Sequence, residues 1–210
     1  MKILFMGDSI TDAGRNTERG SGVSMGQGYP ILVNARLSVL YPGKLKFINN
    51  GISGNRIVDL YARIKCDVWN HAPDVLSVLI GVNDVWHELG GKNGVDAVRF
   101  ERMLAMFCED TLERLPDIKI ILMEPFVLKA AATEGNWDYF DTETKLRAAA
   151  VKRVAEKFNL VFLPLQGMYD EACKIAPADY WIPDGVHPSP AGHQLIADKW
   201  IETFQSEIIK

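Results

Sequence analysis

The sequence is short of cysteine, of long apolar runs and of surplus positive charge. Its cysteines form no CxxC pair and predict reduced thiols rather than a zinc knuckle or a redox motif; the three are Cys66, Cys108 and Cys173. No apolar run approaches the roughly 20 residues that span a membrane. The net charge is −4, and no basic stripe is present, which argues against nucleic acid as the main partner. We therefore expect neither a membrane nor a nucleic acid as a partner.

Length and composition are those of a soluble globular protein. The 210 residues are 48% hydrophobic and 24% charged, and a chain of this size buries enough surface to fold without metal or disulfide links. Only four apolar residues follow Lys2, too few for a signal peptide, so we expect a cytoplasmic protein. Because no Pro-, Ser- or Gly-rich linker interrupts the chain, residues 1–210 are expected to form one domain.

Short apolar runs alternate with longer amphipathic stretches along the whole chain. The runs predict strands, and the continuous run 75–80 is typical of a strand that is buried on both faces. The predicted strands are 3–6, 44–48, 75–80, 118–123 and 160–163. Apolar residues at helical spacing, with prolines as stops, predict helices over 29–40, 95–115, 141–158 and 190–209.

The alternation of strands and helices, without tight hairpins, predicts parallel strands. The expected fold is a three-layer α/β/α sandwich in which a five-stranded parallel sheet lies between two layers of helices. Ligands of open parallel sheets bind beyond the carboxyl ends of the strands. This rule directs attention to four segments: 7–11, 50–56, 81–86 and 124–126.

These segments, with one near the C-terminus, contain the groups that acyl transfer needs: a hydroxyl, an imidazole beside a carboxylate, and amide donors. In chain order they read GDS at 7–9, GISGN at 51–55, GVND at 81–84 and DGVHP at 184–188. Four ordered blocks carrying Ser, Gly, Asn and His resemble the SGNH (GDSL-type) hydrolase family, whose fold is flavodoxin-like. The longer segments GDSITDAGR, NNGISGNR, GVNDVW and DGVHPSPAGH are similar to its intracellular acetylxylan and acetyl-xylooligosaccharide esterases.

The resemblance implies a role for each block residue. Ser9 would be the nucleophile, His187 the general base, and Asp184, three positions before His187, the carboxylate that orients it. The oxyanion would be held by the backbone N–H groups of Ser9 and Gly54 and by the side-chain amide of Asn83. This scheme needs neither a metal nor a cofactor.

Two acidic residues stand next to block residues. Asp8 precedes Ser9 and is interpreted as a turn residue rather than a second acid. Asp84 follows Asn83, and we expect both to lie in a loop that Asp84 caps or braces.

A second serine competes with Ser9 for the role of nucleophile. The segment GVSMG at 22–26 matches GxSxG, a motif that requires a strand immediately before it. The preceding stretch 16–21 is polar and predicts no strand. We therefore interpret Ser24 as part of a loop, 17–28, whose closure over a substrate the sequence leaves open.

Several other residues are candidates for binding. Trp86 and Trp181 each lie three positions from a block residue, and together they would form a flat wall for a sugar ring or an acyl chain. His193 follows His187 by six positions, but no third group of ligands accompanies them, so we expect no metal site. Four further residues near the blocks have no role that the sequence defines: His87, Arg15, Arg56 and Glu124.

Two classes of function remain. The first is a serine esterase that removes small acyl groups, expected to be acetyl, from hydroxyls of short carbohydrates; a lysophospholipase or thioesterase on longer acyl chains is the alternative within this class. The second is a non-catalytic carbohydrate-binding domain, which predicts the loss of at least one of Ser9, Asp184 and His187, whereas all three are present. The sequence leaves the oligomeric state open, with a homo-oligomer among the expectations.

Overall fold

The centre of the fold is a parallel sheet. The computed structural model describes residues 1–16 and 24–209. In this part of the chain the strands lie in the order β2-β1-β3-β4-β5, and all neighbours are parallel. The strands are β1 (Lys2–Gly7), β2 (Lys46–Gly51), β3 (Val75–Leu79), β4 (Lys119–Met123) and β5 (Val161–Leu163). The predicted three-layer α/β/α sandwich with a five-stranded parallel sheet is confirmed.

Helices connect the strands, as the crossovers of a parallel sheet require. The α-helices of the described residues are α1 (Ser9–Asp12), α2 (Tyr29–Leu40), α3 (Ile57–Ala62), α4 (Ile64–Asp67), α5 (Val82–Gly91), α6 (Ala97–Arg114), α7 (Trp137–Lys157), α8 (Gln166–Ala172), α9 (Ala178–Trp181) and α10 (Pro190–Thr203). Short 3₁₀ helices span Trp69–His71 and Glu134–Asn136, and a π-helical turn, Phe204–Ile208, follows α10.

The two faces of the sheet pack against two separate hydrophobic cores. Alternate side chains of a strand point to opposite faces, so Phe5 joins the core under α2 and α10 while Leu4 joins the core under α3, α6 and α7. Trp200 of α10 lies fully buried against the first face, where its indole N–H donates to the Ser77 hydroxyl at 2.9 Å. Burial on both faces explains why the strands read as continuous apolar runs.

Helix α5 corrects one expectation. Asn83 and Asp84 were expected in a loop, but both lie in the first turn of α5, which is separated from the end of β3 by two residues. Val82 and Val85 are buried against the first core, and their spacing is that of a helix. The block residues of this segment are therefore held by a regular element rather than by a loop.

Other boundaries differ by a few residues. Helix α7 begins at Trp137 rather than at 141, and β2 ends at Gly51 rather than at 48. None of the helices in the described part of the chain is long and apolar enough to cross a membrane.

Candidate active site

Ser9 lies where the first strand ends. Strand β1 ends at Gly7, Asp8 caps α1 by accepting the Ile10 N–H at 3.0 Å, and Ser9 is the first residue of the helix. The hydroxyl Oγ of Ser9 lies 2.8 Å from Nε2 of His187. The fold thus joins a hydroxyl and an imidazole from opposite ends of the chain at the carboxyl edge of the sheet.

Asp184 holds the imidazole of His187 from the other side. Its Oδ2 lies 2.6 Å from Nδ1 of His187, and its Oδ1 accepts the N–H groups of Val186 and His187 at 2.9 and 2.7 Å. Burial opposes ionisation of Asp184, but these hydrogen bonds outweigh it and lower its pKa to about 2. The hydrogen bond that His187 donates to this carboxylate raises the pKa of His187 above its ordinary value.

A neighbouring segment braces the loop that carries Asp184. Ala132 donates its N–H to the Asp184 carbonyl, and Leu128 donates its N–H to the Gly185 carbonyl, both at 2.9 Å. Gly185 has φ +91°, and a Cβ there would collide with the Thr133 hydroxyl and the Leu128 carbonyl. Because only glycine fits this turn, the loop presents the carboxylate and the imidazole in one fixed arrangement.

The predicted oxyanion donors lie on segments that hydrogen bonds tie together. Gly54 has φ +82°, a conformation that favours glycine. The side-chain amide of Asn83 donates to the carbonyl of Asn55, the next residue along, at 3.1 Å. Ser53, the residue before Gly54, donates its N–H and its hydroxyl to Asp12 at the end of α1, at 3.0 and 2.7 Å. The loop of Gly54 is thereby linked both to α5 and to the helix of Ser9.

Two buried carboxyl groups lie behind these residues. Asp8 is 1% exposed; burial raises its pKa to about 7, although the Ile10 N–H and the charge of His187 lower it. Its Oδ2 makes no hydrogen bond to the described residues. Asp84 is fully buried and accepts the Ile57 N–H at 3.1 Å, and burial raises its pKa well above the usual range. With its pKa raised to about 7, the carboxyl group of Asp8 is largely protonated and uncharged below that pH.

This burial predicts that Asp8→Asn stabilises the protein in alkaline solution. The folded state keeps the Asp8 proton up to about pH 7, whereas the unfolded chain releases it above about pH 3.9. The contribution of Asp8 to the free energy of unfolding therefore falls as the pH rises between those two values, by on the order of 4 kcal/mol at most. Asparagine keeps an acceptor for the Ile10 N–H and carries no charge.

Urea unfolding at pH 4 and pH 8 measures this effect. We expect similar stability for the variant and the parent at pH 4, and a more stable variant at pH 8. Asp117→Asn, at an exposed turn, serves as the control and should change neither value by more than about 0.5 kcal/mol. A variant less stable than the parent at pH 8 would show that burial does not raise the pKa of Asp8.

The two candidate tryptophans have different surroundings. The ring of Trp86 lies 6.1 Å from the ring of His187 and packs edge-on against Phe140 at 6.0 Å. Trp181 instead donates its indole N–H to the carbonyls of Ala172, the last residue of α8, and Ala176, at 3.1 and 3.2 Å, and it packs edge-on against Tyr180. Trp86 therefore lies beside the candidate catalytic residues, and the polar group of Trp181 is engaged in the fold.

The two arginines without a defined role are structural braces. Arg15 donates from Nε to the Gly51 carbonyl at 2.5 Å. Arg56 donates to both carboxylate oxygens of Asp59 and, through one guanidinium nitrogen, to the carbonyl and side-chain oxygens of Asn93. Both arginines fix segments that border the site.

Glu124 and His193 also hold segments of the fold. Glu124 accepts the N–H groups of Leu165 and Gln166 at 2.7 and 2.9 Å, at the start of α8. His193, in the first turn of α10, accepts the Tyr29 N–H on Nδ1 at 3.1 Å, and burial lowers its pKa to about 4. Residues 1–16 and 24–209 contain no group of three or more His, Cys, Asp or Glu side chains arranged to hold a metal ion.

Ser24 is exposed in a turn before α2. The segment that would supply the strand of a GxSxG motif, 17–23, lies outside the described residues, and so does most of the loop 17–28. The imidazole of His187 hydrogen-bonds to Ser9, so Ser9 rather than Ser24 is the candidate nucleophile.

One bracing residue gave no signal in the sequence. Arg63 donates to the carbonyls of Asn50 and Gly7 at 2.8 and 3.3 Å and to the side-chain oxygen of Asn55 at 2.8 Å. It thus holds the ends of β1 and β2 and the loop beyond β2 together. Arg63 lies in the turn between α3 and α4 and outside every motif, so such contacts cannot be assigned to it before the fold is known.

Comparisons with known proteins agree with this geometry. A profile of the GDSL-like Lipase/Acylhydrolase family matches residues 5–195. An acetylxylan esterase from Geobacillus stearothermophilus is 36% identical over 220 residues, covering all of this chain and 96% of the relative. A solved structure of that esterase, Axe2, has a TM-score of 0.84 and 34% identity over 96% of this chain and 92% of its own. A GDSL-like lipase structure from Parabacteroides merdae has a TM-score of 0.92 and 37% identity, covering 97% and 95% of the two chains.

The fold and these relatives define a class first: the protein is a carboxylic ester hydrolase. Within that class, the chain belongs to the GDSL-like Lipase/Acylhydrolase family, the SGNH hydrolases, because the family profile covers nearly its whole length.

Proposed function

We propose that this protein is a serine esterase that removes acetyl groups from the hydroxyls of short carbohydrates, with Ser9, His187 and Asp184 as its catalytic triad. One observation carries the proposal: Ser9 Oγ, the His187 ring and the Asp184 carboxylate form a continuous hydrogen-bonded chain with distances of 2.8 and 2.6 Å. Solved structures of the esterase from Geobacillus stearothermophilus include catalytic mutants in which a serine, an aspartate or a histidine is replaced by alanine.

In the first half of the reaction Ser9 becomes acylated. Its Oγ attacks the ester carbonyl carbon while Nε2 of His187 accepts the hydroxyl proton, and the Asp184 carboxylate stabilises the imidazolium. The carbonyl oxygen becomes an oxyanion that the N–H groups of Ser9 and Gly54 and the Asn83 amide stabilise. Collapse of this intermediate breaks the ester bond, and the imidazolium returns its proton to the departing alcohol.

In the second half water replaces the alcohol. His187 removes a proton from the water as its oxygen attacks the acyl carbon, and the same donors stabilise the second oxyanion. Breaking the bond to Ser9 Oγ releases acetic acid, which ionises to acetate, and the proton on His187 restores the serine hydroxyl. The Asn83 amide must leave the Asn55 carbonyl, or share its two N–H bonds between both partners, when it binds the oxyanion.

The substrate class rests on likeness to the acetylxylan esterase and on Trp86 beside His187. An aromatic ring at this position offers an apolar face to a sugar ring. Residues 1–210 act as one SGNH hydrolase domain in this proposal. Its setting is the cytoplasm, where short acetylated oligosaccharides reach it after import.

Rates on two substrate series test the proposal. The first compares p-nitrophenyl acetate, butyrate and octanoate, and the second follows acetate release from acetylated xylo-oligosaccharides. We expect acetate to be preferred over octanoate by at least about tenfold in kcat/KM, with acetate released from the oligosaccharides. A preference for octanoate without deacetylation of sugar would instead place the enzyme with lysophospholipases or thioesterases.

A further inference from the structure

A pocket of about 580 Å³ opens beside the proposed triad. Trp86 and His87 of α5 line it, and so do Ala132 and Asn136 from the segment before α7. Trp86 is the ring next to His187, and Ala132 is the residue whose N–H binds the Asp184 carbonyl. The pocket is therefore lined by a neighbour of the imidazole that, in the proposed mechanism, gives its proton to the departing alcohol.

We propose that this pocket binds the sugar alcohol of the ester rather than its acyl group, so that it selects the leaving group. The inference rests on the proposed function. It adds a binding site for one or two sugar rings and assigns specificity to residues outside the triad, namely Trp86, His87 and Asn136.

The volume of the pocket supports this assignment. An acetyl group has three heavy atoms and fills roughly 90 Å³ if each occupies about the 30 Å³ of a water molecule. A pentose ring with its hydroxyls has ten heavy atoms and on the same scale fills roughly 300 Å³. A pocket of about 580 Å³ therefore suits one or two rings and is far too large for acetyl alone.

The chemistry of the lining separates a sugar from a long acyl chain. A sugar ring presents an apolar C–H face, which can stack on Trp86, and hydroxyls, which need polar partners. The Asn136 amide and the His87 ring make no hydrogen bond to any residue that the structure describes, and both are available to a ligand. Gly90 and Gly91 add exposed backbone. A channel for a fatty acyl chain would be lined mainly by aliphatic side chains.

The test varies the alcohol while the acyl group stays fixed. It compares monoacetylated xylobiose with ethyl acetate, whose small alcohol cannot fill the pocket; p-nitrophenyl esters are avoided because their aromatic leaving group can itself stack on Trp86. The variants are Trp86→Ala, Trp86→Phe and Asn136→Ala. Asn70→Ala, at an exposed asparagine before β3, is the matched control.

We expect Trp86→Ala to lower the ratio of kcat/KM for acetylxylobiose over ethyl acetate by about tenfold or more, mainly through KM. Trp86→Phe should retain most of the parent's ratio. Asn136→Ala should lower the ratio several-fold, and Asn70→Ala should leave it unchanged. Because the measured quantity is a ratio, a general loss of folding or of catalysis cancels.

Two results would overturn the inference separately from the proposed function. If the parent enzyme deacetylates xylobiose but Trp86→Ala and Asn136→Ala leave the ratio unchanged, the pocket does not bind the sugar. If Trp86→Ala changes the preference for ethyl acetate over ethyl butyrate, the pocket holds the acyl group. If the parent hydrolyses ethyl acetate but releases no acetate from the sugar, the proposed function fails, and the inference fails with it.

Discussion

Replacing Ser9 with alanine is expected to lower kcat by roughly 10⁴- to 10⁶-fold, as removal of a serine nucleophile does in other triad enzymes. The residual rate would come from the oxyanion donors and binding alone. The fold should be retained because Ser9 is partly exposed and its hydroxyl hydrogen-bonds to the ring of His187 rather than to the core. Hydrolysis of p-nitrophenyl acetate and thermal unfolding, measured on the same samples, separate the two effects.

Ser24→Ala is the matched control for this experiment. Both serines lie in a glycine-containing motif. Ser24 is exposed in a turn, and we expect Ser24→Ala to keep full activity. A variant at Ser9 that keeps more than a few per cent of the activity would disprove its role as the nucleophile. An inactive Ser24→Ala would transfer that role to the GxSxG segment.

The sequence predicts the sheet well because its central strands, β1, β3 and β4, are buried on both faces. A continuous apolar run such as 75–80 has few alternatives to a central strand, and β3 spans Val75–Leu79 within it. The parallel arrangement of the strands also predicts where Ser9 and Asn83 lie, because the carboxyl ends of parallel strands meet at one edge of the sheet. Ser9 begins the helix that follows β1, and Asn83 lies in the first turn of the helix that follows β3, so both lie at that edge.

The sequence predicts helix α5 poorly, although its apolar positions carried a helical pattern. Val82, Val85, Trp86 and Leu89 have helical spacing, but two glycines close the segment and Asn83 and Asp84 favour turns. Burial of Val82 and Val85 against the first core outweighs those local preferences. Tertiary packing is therefore what converts this block from a predicted loop into a helix.

The braces around the site could not be predicted because they are contacts between distant residues. Arg63 reaches the carbonyl of Gly7 across 56 positions, and Asp12 reaches Ser53 across 41. The burial of Asp8 likewise depends on what packs around it rather than on its neighbours in sequence. Periodicity and motifs identify which groups do chemistry, whereas only the fold identifies which groups position them.

Asp184→Asn is expected to lower kcat by roughly 10⁴-fold, the size seen when the carboxylate of a triad is replaced by an amide. If the asparagine oxygen keeps the two backbone N–H groups, its NH₂ group faces Nδ1 of His187. The imidazole must then carry its proton on Nε2, where it can no longer accept the Ser9 proton. If the amide flips, its NH₂ group faces two N–H donors instead. The first orientation forces the wrong tautomer, and the second keeps the right one only by opposing N–H donors to each other.

The pH dependence of the residual activity distinguishes this effect from a simple loss of structure. The hydrogen bond and charge of Asp184 raise the pKa of His187, and the base must be neutral to act. The parent therefore loses activity as the pH falls through that raised pKa, whereas the variant, without the charge, should retain its residual activity to lower pH. Asp179→Asn, at an exposed residue of α9, should alter neither rate nor profile. A loss below about tenfold in Asp184→Asn, with an unshifted acid limb, would mean that another group orients His187.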